Sequence, residues 1–159
     1  MNKHNRNTGR CTCGEIEYEL TAIPMFVHCC HCTWCQRETG SAFAVNALIE
    51  ADEVRLIQGS PEKTDVPSNS GIGQKISRCP SCKTALWSNY GAANEAVCFI
   101  RVGTLNNPDA CPPDIHIFTS TKQKWVELND SVPVMDEYYQ RSNYWPEQSI
   151  TRYKRAVKV

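Results

Sequence analysis

Apolar residues recur every second position in short runs through most of this chain. Ile16, Tyr18 and Leu20 alternate with Glu17 and Glu19, a spacing that puts the three on one side of an extended strand. Residues 25–27 read as a short buried strand, and 43–49, 54–57 and 74–78 as further strands. The run 96–102 (AVCFIRV) is the most apolar of all and is expected at the centre of the core. Residues 114–120 predict another strand, with Ile115 and Ile117 on one face and His116 and Phe118 on the other. Between these runs lie a turn at Gly59-Ser60-Pro61, a loop at 65–73 (DVPSNSGIG) expected to be mobile, and an irregular stretch at 106–113. Helical character is confined to one turn at 36–40, stopped by Gly40, and to residues 149–157. About seven short strands separated by turns predict a mainly β architecture.

Length and composition narrow the class. A chain of 159 residues with 41% hydrophobic content is expected to build one domain around one core. No apolar run reaches transmembrane length, and residues 1–9 are polar, without a secretory signal; a disordered leader is expected there. The predicted location is cytoplasmic, without membrane association. Formal net charge is zero and no basic block or stripe is present, which argues against nucleic acid as a partner. Ten cysteines in a reducing compartment point to metal binding over disulfides.

The cysteines fall into groups. Residues 28–35 read HCCHCTWC, four thiols and two imidazoles in eight positions. Cys79 and Cys82 have the two-residue spacing of a zinc knuckle. Cys11 and Cys13, two apart on an extended chain, point the same way and can complete a four-cysteine site. With every position filled by protein, that site is structural. Cys30, Cys32 and Cys35 supply three ligands and leave a fourth position for water or substrate, as in catalytic zinc. The competing choice, Cys29, Cys32 and Cys35, opens an iron–sulfur pattern but finds Thr39 where a fourth cysteine is needed. His28 and His31 read as supporting or core residues, and His116 as a core histidine or a neighbour of the open metal. Cys98 is expected to be an inert buried thiol and Cys111 a free one. Trp34 and Trp125 are expected in the core, with an apolar wall of the site as the alternative for either.

Taken in order, Cys11-Thr12-Cys13-Gly14 ahead of a strand, Cys30-His31-Cys32 with Cys35 leading to Gly40-Ser41, the Cys79/Cys82 knuckle, and His116-Ile117 ahead of Trp125 and Pro133 resemble the glutathione-dependent formaldehyde-activating enzyme family, centromere protein V-like proteins included. The resemblance runs from about residue 9 to about residue 138. It implies a zinc-clipped β-tent of several small coiled antiparallel sheets over residues 10–138, leaving 139–159 as a C-terminal extension, part helical. It also implies two zinc ions per chain, a structural one on Cys11, Cys13, Cys79 and Cys82 and a catalytic one on Cys30, Cys32 and Cys35. The implied activity is that of a carbon–sulfur lyase joining glutathione to formaldehyde. The chain departs from the family pattern at Lys83, where glycine commonly follows the knuckle, at Gln36, a place that is often basic although Arg37 follows, and at Cys29, an additional thiol beside the site.

Chemically, an open zinc site lowers the pKa of a docking thiol, so a small thiol such as glutathione can add to a small aldehyde. Glutathione's carboxylates call for a basic group. Arg37, nearest in sequence to Cys35, is the candidate, with Lys75, Arg78 and Arg101 as alternatives. A zinc-stabilised binding module without catalytic activity is the other function this sequence predicts.

Overall fold

The structure, a computed structural model, describes residues 7–158. Among them, the extended segments are β1 (Asn7–Arg10), β2 (Glu17–Leu20), β3 (Phe26–Cys30), β4 (Ala44–Glu50), β5 (Val54–Gln58), β6 (Glu62–Val66), β7 (Gln74–Arg78), β8 (Ala85–Tyr90), β9 (Val97–Arg101) and β10 (Ile115–Ile117). Two α-helices accompany them, α1 (Thr33–Thr39) and α2 (Glu147–Val157). The protein is mainly β, as the alternation predicts. The strands gather into two sheets, one of order β1-β2-β5 and one of order β10-β3-β4-β9-β8-β7-β6. Pairing is antiparallel except where β10 joins β3 in parallel.

Three strands carry no legible sequence signal, each for a physical reason. β6 (EKTDV) is the exposed edge of the large sheet, where charged side chains discourage edge-to-edge pairing and no apolar face is needed. In β8, neighbouring Leu86 and Trp87 are both buried, so a strand covered on both faces loses its alternation. β1 (NTGR) takes residues 7–9 of the expected leader into a strand; residues 1–6 lie outside the described residues. Its Gly9 stands opposite Tyr18, so close that a Cβ there would collide with the tyrosine ring.

The seven-stranded sheet has a core on each face. Val27, Ala47, Ile49, Trp87 and Ile100 pack on one side with Ile16, Tyr18 and Leu20 of the small sheet. Phe26, Cys30, Leu48, Val97, Ile115 and Ile117 face the other way, covered by the C-terminal segment through Trp145, Ile150 and Tyr153. Phe26 and Val27, adjacent in sequence, thus belong to different cores. Trp145 is buried and stacks on Phe26 with ring centroids 5.2 Å apart. No helix among the described residues is long and apolar enough to cross a membrane.

The extension is fastened by polar contacts as well. Ser149 Oγ donates to the Met25 carbonyl (2.7 Å). Arg152 clamps Glu50 with two parallel bonds of 2.7 and 2.6 Å and donates a third to Ile23 O. Both side chains are less than one-fifth exposed, which makes this a bidentate pair of the strong kind. Arg152→Ala should cost about 2 kcal/mol, since it leaves Glu50 half-buried and unpaired. The expected signature is a lower thermal midpoint together with faster amide exchange across residues 147–157.

Candidate metal centre

Cys11 follows β1 directly, and Cys79 follows β7, so the two sheets bring four sulfurs together. Cys11, Cys13, Cys79 and Cys82 offer Sγ atoms all within 4.8 Å of one another. Cys11 and Cys13 are 3.5 Å apart, Cys13 and Cys79 3.7 Å. Tetrahedral zinc with Zn–S bonds of ~2.3 Å separates its sulfurs by ~3.8 Å, whereas a disulfide requires ~2.05 Å. The spacing therefore fits four thiolates around one ion. The knuckle closes through Cys79 N–H donating to Thr84 O and Lys83 N–H donating to Cys79 O, each 3.0 Å. The Thr84 hydroxyl and backbone N–H, with the Cys13 N–H, pull the Cys82 thiol down to about 5, so a ligand thiolate is ready at neutral pH. Lys83 holds a left-handed φ of 61°, a conformation that costs a non-glycine residue.

Strand geometry splits the HCCHCTWC run. His28 and Cys30 point to one face of β3 and Cys29 to the other, followed there by His31. On the first face, Cys30, Cys32 and Cys35 offer sulfurs within 4.8 Å of one another. Cys32 is the N-cap of α1 and accepts from Cys35 N–H at 3.3 Å. The thiols of Cys30 and Cys35, then the backbone N–H groups of Cys35 and Trp34, hold Cys32 down at about 2. The neighbouring sulfurs of Cys32 and Cys35, and then burial, push Cys30 up. The surroundings thus favour the thiolate at Cys32 over its two neighbours. Arg101 lies buried beneath them, bonded to Asn46 Oδ1 and Ser88 Oγ, and its charge acts on Cys35.

These three cysteines open onto a cavity of about 400 Å³. His28, Asn46, Phe99 and Ile117 form its floor from the sheet, and Trp34, Tyr90, Phe118, Tyr138 and Arg141 its walls, with residues 68–70 and Ile72 at the rim. Phe118 does not follow the strand alternation: its left-handed φ of 54° turns the ring to the cavity side, next to Ile117. Burial raises the Tyr90 phenol above its ordinary pKa, so it remains an O–H donor at neutral pH.

On the second face, Cys29, His31 and His116 converge because His116 is in register with Cys29. His31 Nε2 and His116 Nδ1 are 3.0 Å apart, and Cys29 Sγ is 3.5 Å from His31 Nε2. Burial depresses both imidazoles, His31 to about 4. The group is compact enough for an ion, but His31 Nδ1 is buried without a partner, and a ligating histidine normally donates that second N–H. A neutral pair with the proton on His31 Nε2 satisfies more, and it pins β10 to β3.

Arg37 is not drawn into the cavity; it is exposed and lines a separate cleft with Gln36, Gln123 and Trp125. Trp125 is 72% exposed and Trp34 40%, so neither is the core residue its apolar ring suggests. Cys98 is buried and accepts from Asn89 Nδ2 (3.4 Å). Cys111 is buried and joins no ligand group. Sequence reasoning missed Tyr90, Tyr138 and Arg141, because each reaches the cavity across a tertiary contact that no local spacing encodes.

A mainly β protein with one closed and one open cysteine cluster, each able to hold a metal and compatible with zinc, is the class that fold and site define. The chain belongs to the glutathione-dependent formaldehyde-activating enzyme family, whose sequence model matches residues 6–121. Among solved structures, a crystal structure of a Rhodobacter sphaeroides protein is similar at 19% identity and a TM-score of 0.48, over 80% of this chain and 98% of that one. No curated protein matches.

The two clusters should respond differently to mutation. Cys79→Ser is expected to lower the melting temperature of the zinc-loaded protein severely, because metal affinity there is folding free energy. Cys32→Ser should remove one zinc equivalent with a much smaller melting loss; equal losses would defeat the division of labour. Lys83→Gly should raise stability by about 0.5–1 kcal/mol by relieving the left-handed lysine. The exposed Lys83–Glu62 pair that it removes is worth little, and chemical denaturation would measure the balance.

Proposed function

We propose that this protein is a zinc-dependent carbon–sulfur lyase-like enzyme that makes or breaks the adduct between a small thiol and a small aldehyde. Glutathione and formaldehyde are the pair its family implies. The observation that carries the reading is that Cys30, Cys32 and Cys35 converge with a cavity in front of them, whereas Cys11, Cys13, Cys79 and Cys82 make a complete four-sulfur set. On this reading each chain holds two zinc ions, a structural one on the four cysteines and a catalytic one on the three. The cytoplasm, which keeps thiols reduced, is the compartment that suits ten free cysteines.

Zinc held by the three cysteines would supply a fourth coordination position at which a thiol docks as its thiolate. Three thiolates bring such an ion to a net −1, and the buried Arg101 offsets that charge where an unpaired one would be costly. The thiol loses its proton on docking. Its sulfur bonds to the aldehyde carbon, the C=O π pair moves onto oxygen, and that oxygen takes up a proton, giving the hemithioacetal with atoms and charge conserved. Tyr90, kept protonated by burial, is the donor placed to hydrogen-bond the developing oxyanion. Phe99, Phe118 and Trp34 exclude water from the same space, which strengthens that bond.

The test combines calorimetry of glutathione with NMR of ¹³C-formaldehyde on the zinc-loaded chain. Saturable thiol binding and accelerated adduct formation are expected. Both should fall more than tenfold in Cys32→Ser, and Tyr90→Phe should slow turnover roughly tenfold or more with binding retained. Two zinc ions with no thiol affinity would instead leave a zinc-stabilised binding module.

A further inference from the structure

The family match ends at residue 121, yet the cavity does not. Two of its walls, Tyr138 and Arg141, come from the segment beyond. That segment is held by a chain of aromatic contacts. Tyr138 and Tyr139 stack with centroids 4.9 Å apart. Trp145 Nε1 donates to Tyr139 Oη at 2.6 Å, and the same oxygen lies 2.6 Å from His28 Nε2. His28 is on β3, two residues before Cys30, so this cover is fixed directly over the open cysteine cluster.

Arg141 is the feature that the reaction of a thiol with formaldehyde does not explain. Its guanidinium sits 4.2 Å from the Tyr153 ring centroid and 5.6 Å from that of Trp145, cation–π contacts that hold it in place. Its Nε–H is buried and has no hydrogen-bond partner. Among the described residues no carboxylate forms an ion pair with it, and its polar neighbours are the phenols of Tyr138 and Tyr153. Glu147 and Asp136 flank it in sequence, but neither forms an ion pair with it. The cavity wall contains no Asp, Glu or Lys; its basic side chains are Arg141 and His28, and His28 is already engaged through Nε2 with Tyr139 Oη. Flat or branched apolar faces make up much of the remaining wall, Trp34, Tyr90, Phe99, Ile117, Phe118 and Tyr138, and its other polar side chains, such as Asn46, Asn69 and Gln74, are uncharged.

A half-buried guanidinium without an anion is an unfinished ion pair, and a planar fork is suited to a carboxylate. Glutathione can reach the cysteines with its sulfur end, but these walls do not match its charged ends. Its two carboxylates and one ammonium would meet one cation and no acid, leaving charges desolvated and unpaired. Formaldehyde would fill a small fraction of about 400 Å³. We propose that the cavity takes an organic monocarboxylate with an aromatic body, its carboxylate paired with Arg141 and its ring against the aromatic walls, and that the aldehyde processed at the open cysteine site is of this class. The choice of aldehyde as the reacting group rests on the function proposed above; the monocarboxylate subsite does not.

Phenylacetate and its neutral near-isostere phenylacetamide are the probes, titrated by calorimetry into the zinc-loaded full-length chain. Phenylacetate should bind at least tenfold more tightly than the amide. Arg141→Gln should reduce that preference to about one, with circular dichroism and melting used to check its fold, and Arg141→Lys should restore part of it. No preference for the acid in the unmodified protein overturns the proposal whether or not the variants fold, as does a preference that survives in folded Arg141→Gln. A second arm compares 4-carboxybenzaldehyde with formaldehyde as acceptors of the thiol. Equal or better use of formaldehyde defeats the substrate assignment and leaves the lyase reading intact. Arg141-dependent phenylacetate binding with no adduct formation from either aldehyde defeats the lyase reading and keeps the subsite.

Discussion

The division of HCCHCTWC between two faces of the large sheet is set by the two-residue alternation of β3. Five consecutive buried residues, Phe26–Cys30, are shared between two cores because each face of the large sheet is covered. His28 and Cys30 go to the side closed by the C-terminal segment, and Cys29 and Val27 to the other. The parallel pairing of β10 then adds Ile117 beside Cys30 and His116 beside Cys29. A one-residue slip would exchange the two sets. Register is held where it matters by Val27 N–H donating to Asp114 Oδ2 (2.8 Å) and Asp114 N–H donating to Val27 O (2.9 Å).

Charge is distributed to match. The closed cluster sits with the small sheet, its sulfurs served by backbone and threonine donors, as in Ile16 N–H to Cys11 Sγ at 3.3 Å. Beside the open cluster are two arginines with separate tasks. Arg101 is bonded through its two terminal nitrogens to Asn46 and Ser88 on the sheet, its Nε left without a partner, and its charge acts on Cys35. Arg141 stands across the cavity with an unused donor, and burial, then the charge of Arg141, depresses the His28 imidazole. A buried cation is costly when uncompensated; Arg101 acts on the Cys35 sulfur, and Arg141 faces the cavity.

Much of this was legible from residue order. The knuckle spacing of Cys79 and Cys82, the same-side geometry of Cys11 and Cys13, and the Cys30-x-Cys32-x-x-Cys35 clasp all follow from local backbone periodicity, and the structure brings each set together. The helix stop at Gly40 was legible too, since its left-handed φ of 64° is what glycine permits. Lys83 was visible as an oddity, and its φ of 61° explains why glycine suits that position. Arg37 illustrates the opposite case. Proximity to Cys35 along the chain placed it on the outer side of α1, because residues two apart on a helix do not share a face.

What the sequence by itself determined is the set of strands with an apolar face and the grouping of cysteines whose ligand spacing is local. Both depend on distances of a few residues, over which backbone geometry is nearly fixed. Only the tertiary structure decided that HCCHCTWC is divided between two faces, that β6 and β8 exist, and that Tyr90, Tyr138 and Arg141 wall the cavity. These outcomes depend on which surfaces cover which. The aromatic segment 138–145 reaches β3 across more than one hundred residues, as Tyr139 to His28 does, and contact over that separation is set by packing complementarity rather than by any repeat in the chain.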